Sequence, residues 1–151
     1  RLVQLVSAPD TGVAILAGEP GIGKTRLVHE LLGVLPTGTT VLVGQAEPGS
    51  LGRPFELLLS ALDGRNDVDA AQLEMLTDPS RTQVERLRTG LQILLRLTAN
   101  SPAVVVFEDL HWADSESAAL FERLAGHDGP GPRLLLGTYR PDEVTWRQPA
   151  R

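Results

Sequence analysis

The chain has 151 residues, of which 42% are hydrophobic and 22% are charged, a composition that indicates one globular domain and excludes intrinsic disorder. It has no cysteine, which excludes disulfides and thiolate metal sites, and no apolar run near the roughly 20 residues of a membrane span. The net charge of −5 argues against a surface that grips DNA or an anionic membrane. We therefore expect a cytoplasmic domain that has no membrane partner and contacts DNA only through a domain outside this segment.

The first third of the chain predicts a strand, a loop, a helix and a second strand. Residues 1–6 have an apolar spacing that predicts the end of a helix, cut by the boundary of the segment. Val13–Ala17 and Thr40–Gly44 are short, continuously apolar runs, typical of strands that are buried on both faces of a parallel sheet. Between them, leucines recur at helical spacing over Lys24–Leu35. This order predicts a right-handed β-α-β crossover.

The rest of the chain predicts three more helices and two more buried strands. The best helix start is Asp78 followed by Pro79, because aspartate is a common N-cap and proline suits the first helical position. The predicted elements are a helix over Pro54–Leu62, a helix from Pro79 to Thr98, a strand over Ala103–Phe107, a helix through Leu124 that is capped by Asp114 or Ser115, and a strand over Leu134–Thr138. Four apolar strands alternating with helices indicate an α/β fold with a mostly parallel sheet.

The segment between the first predicted strand and the first predicted helix fits the phosphate-binding pattern G-x-x-x-x-G-K-[ST] without a mismatch. Its glycines let backbone N–H groups turn towards phosphate oxygens, and the start of the helix adds unpaired donors and partial positive charge. Lys24, the only lysine of the chain, would reach the β- and γ-phosphates, and the Thr25 hydroxyl would bind Mg²⁺. The eight residues of this predicted ATP and Mg²⁺ site are Gly18, Glu19, Pro20, Gly21, Ile22, Gly23, Lys24 and Thr25.

Polar residues at the ends of the later strands supply the remaining candidates for catalysis. Glu108 and Asp109 follow the third predicted strand, at the carboxyl edge where ligands of open α/β sheets bind. We predict that Glu108 is the acid on the Mg²⁺ side, directly or through water, and that Asp109 orients the attacking water; the reverse order of roles stays open. Arg140, just past the fourth predicted strand, would either neutralise charge on the transferred phosphoryl group or serve as a surface arginine.

Three motifs together resemble a known family. GEPGIGKT at Gly18–Thr25, EDLHWAD at Glu108–Asp114 and GTYR at Gly137–Arg140 look like the STAND-type P-loop ATPases, a branch allied to the AAA+ proteins. In particular they resemble the ATPase module of large ATP-binding LuxR-type transcriptional regulators, and similar modules attached to signalling cyclases and kinases. The resemblance covers nearly the whole chain. It implies a three-layer P-loop NTPase core in which the strand before Arg140 lies between the P-loop strand and the Glu108 strand, and it implies that Arg140 senses the γ-phosphate.

The chain departs from that family in composition and in extent. The family usually has aspartate where this chain has Glu108, and it has an arginine-containing motif before Arg1 and a fifth strand, a lid and further domains after Arg151. We therefore expect residues 1–151 to form a single P-loop ATPase core, cut at both ends from a multidomain protein and truncated after the fourth strand. The P-loop strand would then lack its outer neighbour, so that the isolated segment would self-associate or be marginally stable, and would hydrolyse ATP negligibly.

These features favour an ATP-binding, slowly hydrolysing switch module of a multidomain signalling or transcriptional regulator. Its expected partners are ATP or ADP, other domains of the same chain, and a second copy in an ATP-dependent self-association. The alternative is a non-hydrolysing, nucleotide-dependent interaction module attached to a cyclase or kinase, which would need Lys24 and Thr25 but not Asp109. A GTPase would need an [NT]-K-x-D element, which a single lysine inside the P-loop excludes, and neither an ABC-type signature nor a phosphotransferase acceptor motif is visible.

Overall fold

The computed structural model of the protein describes residues 2–7, 12–17, 24–45 and 53–139. The strands of this part of the chain are β1 (Leu2–Ser7), β2 (Gly12–Ala17), β3 (Thr40–Gln45), β4 (Ala103–Glu108) and β5 (Leu134–Tyr139). They form one sheet in the order β1-β2-β5-β4-β3, in which only the β1–β2 pair is antiparallel. The predicted α/β fold with a mostly parallel sheet is confirmed. So is the order implied by the resemblance, because β5 lies between the P-loop strand β2 and the acidic strand β4.

Helices follow the strands along the chain. They are α1 (Lys24–Gly33), α2 (Glu56–Leu62), α3 (Ala70–Leu76), α4 (Gln83–Leu97) and α5 (Ser115–Ala125), with a 3₁₀ turn over Leu110–Trp112. The sequence did not predict α3. Within the described ranges, no helix has both the length and the apolar character needed to cross a bilayer.

The sheet is covered by helices on both faces, which makes three layers. β4 shows how its sequence divides between them, because successive side chains of a strand point to opposite faces. Val104 and Val106 pack with Val28 of α1 on one face, and Val105 and Phe107 join the larger core on the other face. That larger core is built with α2, α4 and α5, and it takes in Leu76 of α3. A continuous apolar strand is the sequence pattern that burial on both faces requires.

The structure corrects the prediction for the start of the chain. Residues 1–6 were expected to end a helix, but Leu2–Ser7 forms β1 and pairs with β2 from Leu2 opposite Ala17 to Ser7 opposite Gly12. A short apolar run does not by its period separate strand from helix, and the main-chain donors and acceptors along β2 favour a paired strand. The outer edge of β2 is therefore covered, and the expectation that it lies unpaired for lack of a strand beyond Arg151 is wrong. The self-association predicted from that edge loses its basis.

The start of α4 also differs from the prediction. Asp78 was expected to cap the helix, but its carboxylate accepts hydrogen bonds from the amide and the hydroxyl of Ser80 and forms a separate turn. α4 begins four residues later than predicted, with Thr82 as the N-cap. The Thr82 hydroxyl accepts from the Glu85 amide, and the Glu85 carboxylate accepts from the Thr82 amide. This reciprocal pair satisfies the amides of Thr82 and Glu85 at the start of α4.

Two glycines let helical segments lie close to the sheet just below its carboxyl edge. Gly44 of β3 and Gly137 of β5 flank Phe107 of β4 in one row across the sheet. A Cβ atom at Gly44 would collide with the backbone carbonyl of Leu57 in α2, and one at Gly137 would collide with the side chain of Leu110. Larger residues at either position would push α2 or the 3₁₀ turn away from the edge where the candidate site lies.

Candidate functional site

The four parallel strands end at the same edge of the sheet. Ala17 of β2 pairs with Tyr139 of β5, and Gln45 of β3 pairs with Glu108 of β4. α1 begins at Lys24, after the segment that follows β2, so the start of this helix and the ends of the strands belong to one side of the domain. The topology thus brings the start of α1, the acidic pair and the end of β5 together, as the carboxyl-edge rule for α/β sheets requires.

The packing of α1 fixes this helix on the sheet. Val28 is 1% exposed and lies in one cluster with Ala14 of β2, Val104 and Val106 of β4, and Leu136 of β5. α1 therefore lies across three adjacent strands, and its first turn is held at a constant position relative to their ends. Since the first N–H groups of a helix have no partner inside the helix, this turn offers donors to an anion at the edge.

Part of the predicted site lies outside the described residues. These are Gly18, Glu19, Pro20, Gly21, Ile22 and Gly23 of the loop, and Arg140 beyond β5. Lys24 and Thr25 are described as the first two residues of α1, by their backbone alone. The phosphate contacts predicted for Gly18–Thr25 and the sensor role implied for Arg140 therefore stay predictions.

Glu108 occupies the end of β4 with its side chain half-buried. Burial raises the pKa of this carboxyl group, the negative charge of Asp109 raises it further, and the charge of His29 on α1 acts in the opposite direction. An acidic pair in which the charge of Asp109 raises the pKa of Glu108 is a setting in which a divalent cation would be stabilised. Mg²⁺ prefers such oxygen ligands, so the donor chemistry at this edge fits the predicted metal. No group of three or more His, Asp or Glu side chains that could hold a metal ion is present in the described part of the chain.

Asp109 is held between the strands on either side of β4. Its backbone has φ 61° and ψ 50°, a left-handed conformation that aspartate adopts more easily than most residues. Its amide donates to Oγ1 of Thr138 on β5 at 3.0 Å. Its carboxylate Oδ2 accepts from Nε2 of Gln45 on β3 at 3.2 Å. Both the main chain and the side chain of the predicted water-orienting residue are therefore positioned by neighbouring strands.

A second carboxylate of the same loop joins α2 to α5. Asp114 caps α5 by accepting from the Ser117 amide at 2.9 Å, which confirms the first of the two predicted caps. The same carboxylate accepts from the amides of Phe55 at 2.9 Å and Glu56 at 3.1 Å, and Ser117 Oγ accepts from the Leu57 amide at 3.1 Å. Three consecutive amides at the start of α2 are thus bound by α5 and its cap.

α2 also contacts the strand that carries Gln45. The hydroxyl of Ser60 in α2 accepts from the Gln45 amide at 3.2 Å. Since Gln45 donates to Asp109, and Asp114 follows Asp109 by five residues, α2 is connected to both ends of the acidic loop. The position of this short helix is therefore coupled to the geometry of the candidate site.

Sequence reasoning did not find the roles of Gln45 and Thr138 beside Asp109. Gln45 lay just outside the predicted strand Thr40–Gly44, and Thr138 was given only as the last residue of the predicted strand Leu134–Thr138 and as part of the GTYR motif. A signal was present in the sequence, because both residues are polar and close an apolar strand at the same edge as Asp109. Their contacts depended on which strands are neighbours, and the residues by themselves do not specify that.

Comparison with known proteins gives two matches. Residues 1–136 match the AAA ATPase domain family. An uncharacterized protein of Rhizobium meliloti (strain 1021) is 27% identical over 173 residues, which cover 90% of this chain and 17% of that protein. The chain therefore spans less than a fifth of the length of this relative.

Proposed function

We propose that this chain, which belongs to the AAA ATPase domain family, binds ATP with Mg²⁺ and hydrolyses it slowly as the switch module of a multidomain regulator. Membership in the family makes it a nucleotide-binding ATPase module. The observation that carries the finer proposal is the common edge of four parallel strands, where the P-loop strand, the acidic pair and the strand before Arg140 end side by side. A switch needs its phosphate-binding, metal-binding and sensing groups within reach of one phosphate chain.

Each residue of the edge has one role in this proposal. Gly18–Thr25 surround the phosphates, with Lys24 on their negative charge, and Thr25 and Glu108 hold Mg²⁺, Glu108 directly or through water. Mg²⁺, when bound, neutralises negative charge on the β- and γ-phosphate oxygens. Asp109 orients the attacking water through Oδ1, since its Oδ2 accepts from Gln45. Arg140 approaches the γ-phosphate from the next strand and stabilises the charge that develops there.

The exposure of the acidic pair accounts for slow turnover. Glu108 and Asp109 are both half-buried, so water reaches them and screens the charges that act on the phosphates. Complete exclusion of water would require a lid over this edge. The isolated segment is accordingly expected to hydrolyse ATP negligibly.

The regulator context rests on the resemblance of the three motifs to STAND-type ATPases of LuxR-type regulators. In this proposal the nucleotide state is passed to other domains of the same protein, the ATP-bound form self-associates, and any contact with DNA belongs to another domain. Sedimentation of the full-length protein with ATP and with ADP tests the self-association. Equal sedimentation in the two nucleotide states would remove it.

The primary test is calorimetric titration of Mg-ATP into the full-length protein and its Lys24→Ala variant. We expect the variant to lose at least about tenfold in affinity while its thermal melting stays unchanged, because the lysine acts on phosphate charge. Arg26→Ala is the matched control, since it removes a cation from the same helix, where Arg26 is exposed and pairs with Glu30. Equal affinity of Lys24→Ala and the parent protein for Mg-ATP would contradict the assignment of Gly18–Thr25 as a phosphate loop.

The roles within the acidic pair are tested by two isosteric variants. Glu108→Gln should weaken the dependence of ATP binding on Mg²⁺, whereas Asp109→Asn should preserve binding and lower single-turnover phosphate release. Asp128→Asn is the control, because Asp128 is an exposed carboxylate in the turn before β5, at the opposite edge of the sheet. Exchanged phenotypes would reverse the two roles. If the parent protein binds ATP but releases no phosphate, the alternative function applies, which is a non-hydrolysing interaction module.

A further inference from the structure

The main-chain pairing between β4 and β5 ends before the acidic pair. The last paired residues are Phe107 and Gly137. Two residues further along, the amide of Asp109 donates to the side-chain hydroxyl of Thr138 at 3.0 Å. A side chain thus continues the connection between these two strands at the point where the chain turns out of the sheet.

The turn at Asp109 makes this hydrogen bond consequential. Asp109 has positive φ and lies in a small allowed region of backbone conformation, and the orientation of the peptide before it helps to set the direction of its Cα–Cβ bond. The Thr138 hydroxyl holds that peptide by its N–H group, and Gln45 holds the carboxylate at the other end of the residue. The direction in which the Asp109 carboxylate points therefore depends on both contacts.

Thr138 is itself held in place. It is 3% exposed, it lies in β5 opposite Leu16 of β2, and its branched Cβ restricts its side chain to few rotamers. β5 is the central strand of the sheet, with β2 on one side and β4 on the other. A hydrogen-bond acceptor on this central strand has little freedom to move. A residue that positions a carboxylate for chemistry must be fixed in this way.

We infer that Thr138 is a positioning residue for hydrolysis, whose hydroxyl holds the left-handed Asp109 peptide so that the carboxylate meets the attacking water. The inference rests on the proposed function, since it presumes that Asp109 orients water in ATP hydrolysis. It predicts that loss of the hydroxyl acceptor misdirects the carboxylate and slows the chemical step, while the binding of ATP, which depends on the phosphate loop, stays the same.

The test compares Thr138→Val with Thr138→Ser in the full-length protein. Valine keeps the shape and β-branching of threonine but cannot accept a hydrogen bond, so kcat should fall roughly 10- to 100-fold with the dissociation constant for ATP within about twofold. Serine keeps the hydroxyl and should restore kcat to within about threefold of the parent protein. Thr89→Val is the matched control, because Thr89 is 4% exposed and its hydroxyl donates within α4 to Glu85 O, a bond that involves neither Glu108 nor Asp109.

A double variant separates positioning from a general structural role. In an Asp109→Asn background, Thr138→Val should lower kcat no further, because the residue through which Thr138 acts has already lost its function. A further loss of the same size, or an equal loss in Thr138→Ser, would overturn the inference. If Thr138→Val does not melt cooperatively, Thr138→Ala takes its place with the same expectation.

The outcomes also separate this inference from the proposed function. If the parent protein hydrolyses ATP and Thr138→Val does so at the same rate, the inference is wrong and the proposed function stands. If the parent protein binds ATP without releasing phosphate, the proposed hydrolysis fails, and the inference fails with it before any variant is made.

Discussion

The amino-terminal ends of α2 and α4 take their hydrogen-bond acceptors from very different distances along the chain. α4 is capped within four residues, by the reciprocal bonds of Thr82 and Glu85. α2 begins after the buried, left-handed Phe55, and its first amides are bound by Asp114 and Ser117, about sixty residues further on. A helix with a local cap has its start encoded in its own sequence, whereas α2 has a satisfied start only once α5 is in place.

This difference separates a structural helix from one that is linked to the candidate site. The cap of α4 is exposed and touches neither acid of the edge. The cap of α2 is supplied by the loop that carries Asp109, and α2 in turn contacts Gln45, which donates to Asp109. Because α2 is capped by residues about sixty positions away, its stability depends on the geometry of the acidic loop.

Asp114→Ala should have the largest effect, because it removes the acceptor of three amides at the starts of two helices. We expect a loss of about 3 kcal/mol in the free energy of unfolding by urea, since buried amides without acceptors add to the loss of the caps. Asp78→Ala is the control, because its carboxylate accepts in an exposed turn and should cost less than about 1 kcal/mol. Similar losses in the two variants would contradict the special role of the remote cap.

Gly44→Ala should have the next largest effect, because it disturbs the packing of α2 against β3. The new methyl group would collide with the backbone carbonyl of Leu57, and backbone cannot give way as a side chain can. We expect a loss of about 2 kcal/mol, measured by urea unfolding. Gly33→Ala, at the end of α1 in open space, should be neutral or slightly stabilising. An equally stable Gly44→Ala would show that α2 shifts without cost.

Thr82→Ala should have a smaller effect, because it removes only the local cap of α4. The helix keeps its packing, so we expect a loss of about 1 kcal/mol in urea unfolding. Thr39→Ala serves as the control, since the Thr39 hydroxyl makes an exposed hydrogen bond to the carbonyl of Pro36 instead of capping a helix. If Thr82→Ala destabilised the protein as much as Asp114→Ala, local and remote caps would be equivalent here.

Glu108→Gln should have the smallest effect, and it should stabilise the protein. The reason is that the ionised carboxylate of Glu108 opposes folding. Its pKa is raised above the ordinary 4.5 by burial and by Asp109, so the folded state binds its proton more tightly than the unfolded state does. Stability should therefore fall as the pH rises from 4.5 through the folded pKa. Solvent screens this half-exposed group, so removing the charge should stabilise the protein at neutral pH by less than about 1 kcal/mol.

The measurement for Glu108→Gln is urea unfolding across this pH range in a chelating buffer that keeps Mg²⁺ away. The parent protein should lose stability with rising pH more steeply than the variant. Parallel pH profiles would mean that Glu108 ionises as freely in the folded protein as in the unfolded one.

Much of the fold followed from local pattern. The apolar runs at β2, β3, β4 and β5 predicted the parallel strands, because a strand buried on both faces must be apolar along its whole length. The cap at Asp114 was one of two that the sequence predicted, Ser115 being the other. The start of α4 was encoded as well, in the sequence Thr82-Gln83-Val84-Glu85 of a capping box. The prediction instead used Asp78-Pro79, which is also a typical helix start, and therefore placed the helix start four residues too early.

Other features were decided only by the tertiary structure. Residues 2–7 became a strand because β2 offered a partner, and a six-residue segment with four apolar residues carries too few periods to distinguish a strand from a helix. The contacts of Asp109 with Gln45 and Thr138, and those of Asp114 with α2, join residues that lie 29 to 64 positions apart. The sequence by itself determined which residues are apolar, which carry charge and where the phosphate-binding pattern lies. It could not determine which polar residues meet, because a hydrogen bond between distant residues depends on the order of the strands, and that order is set by packing of the whole domain.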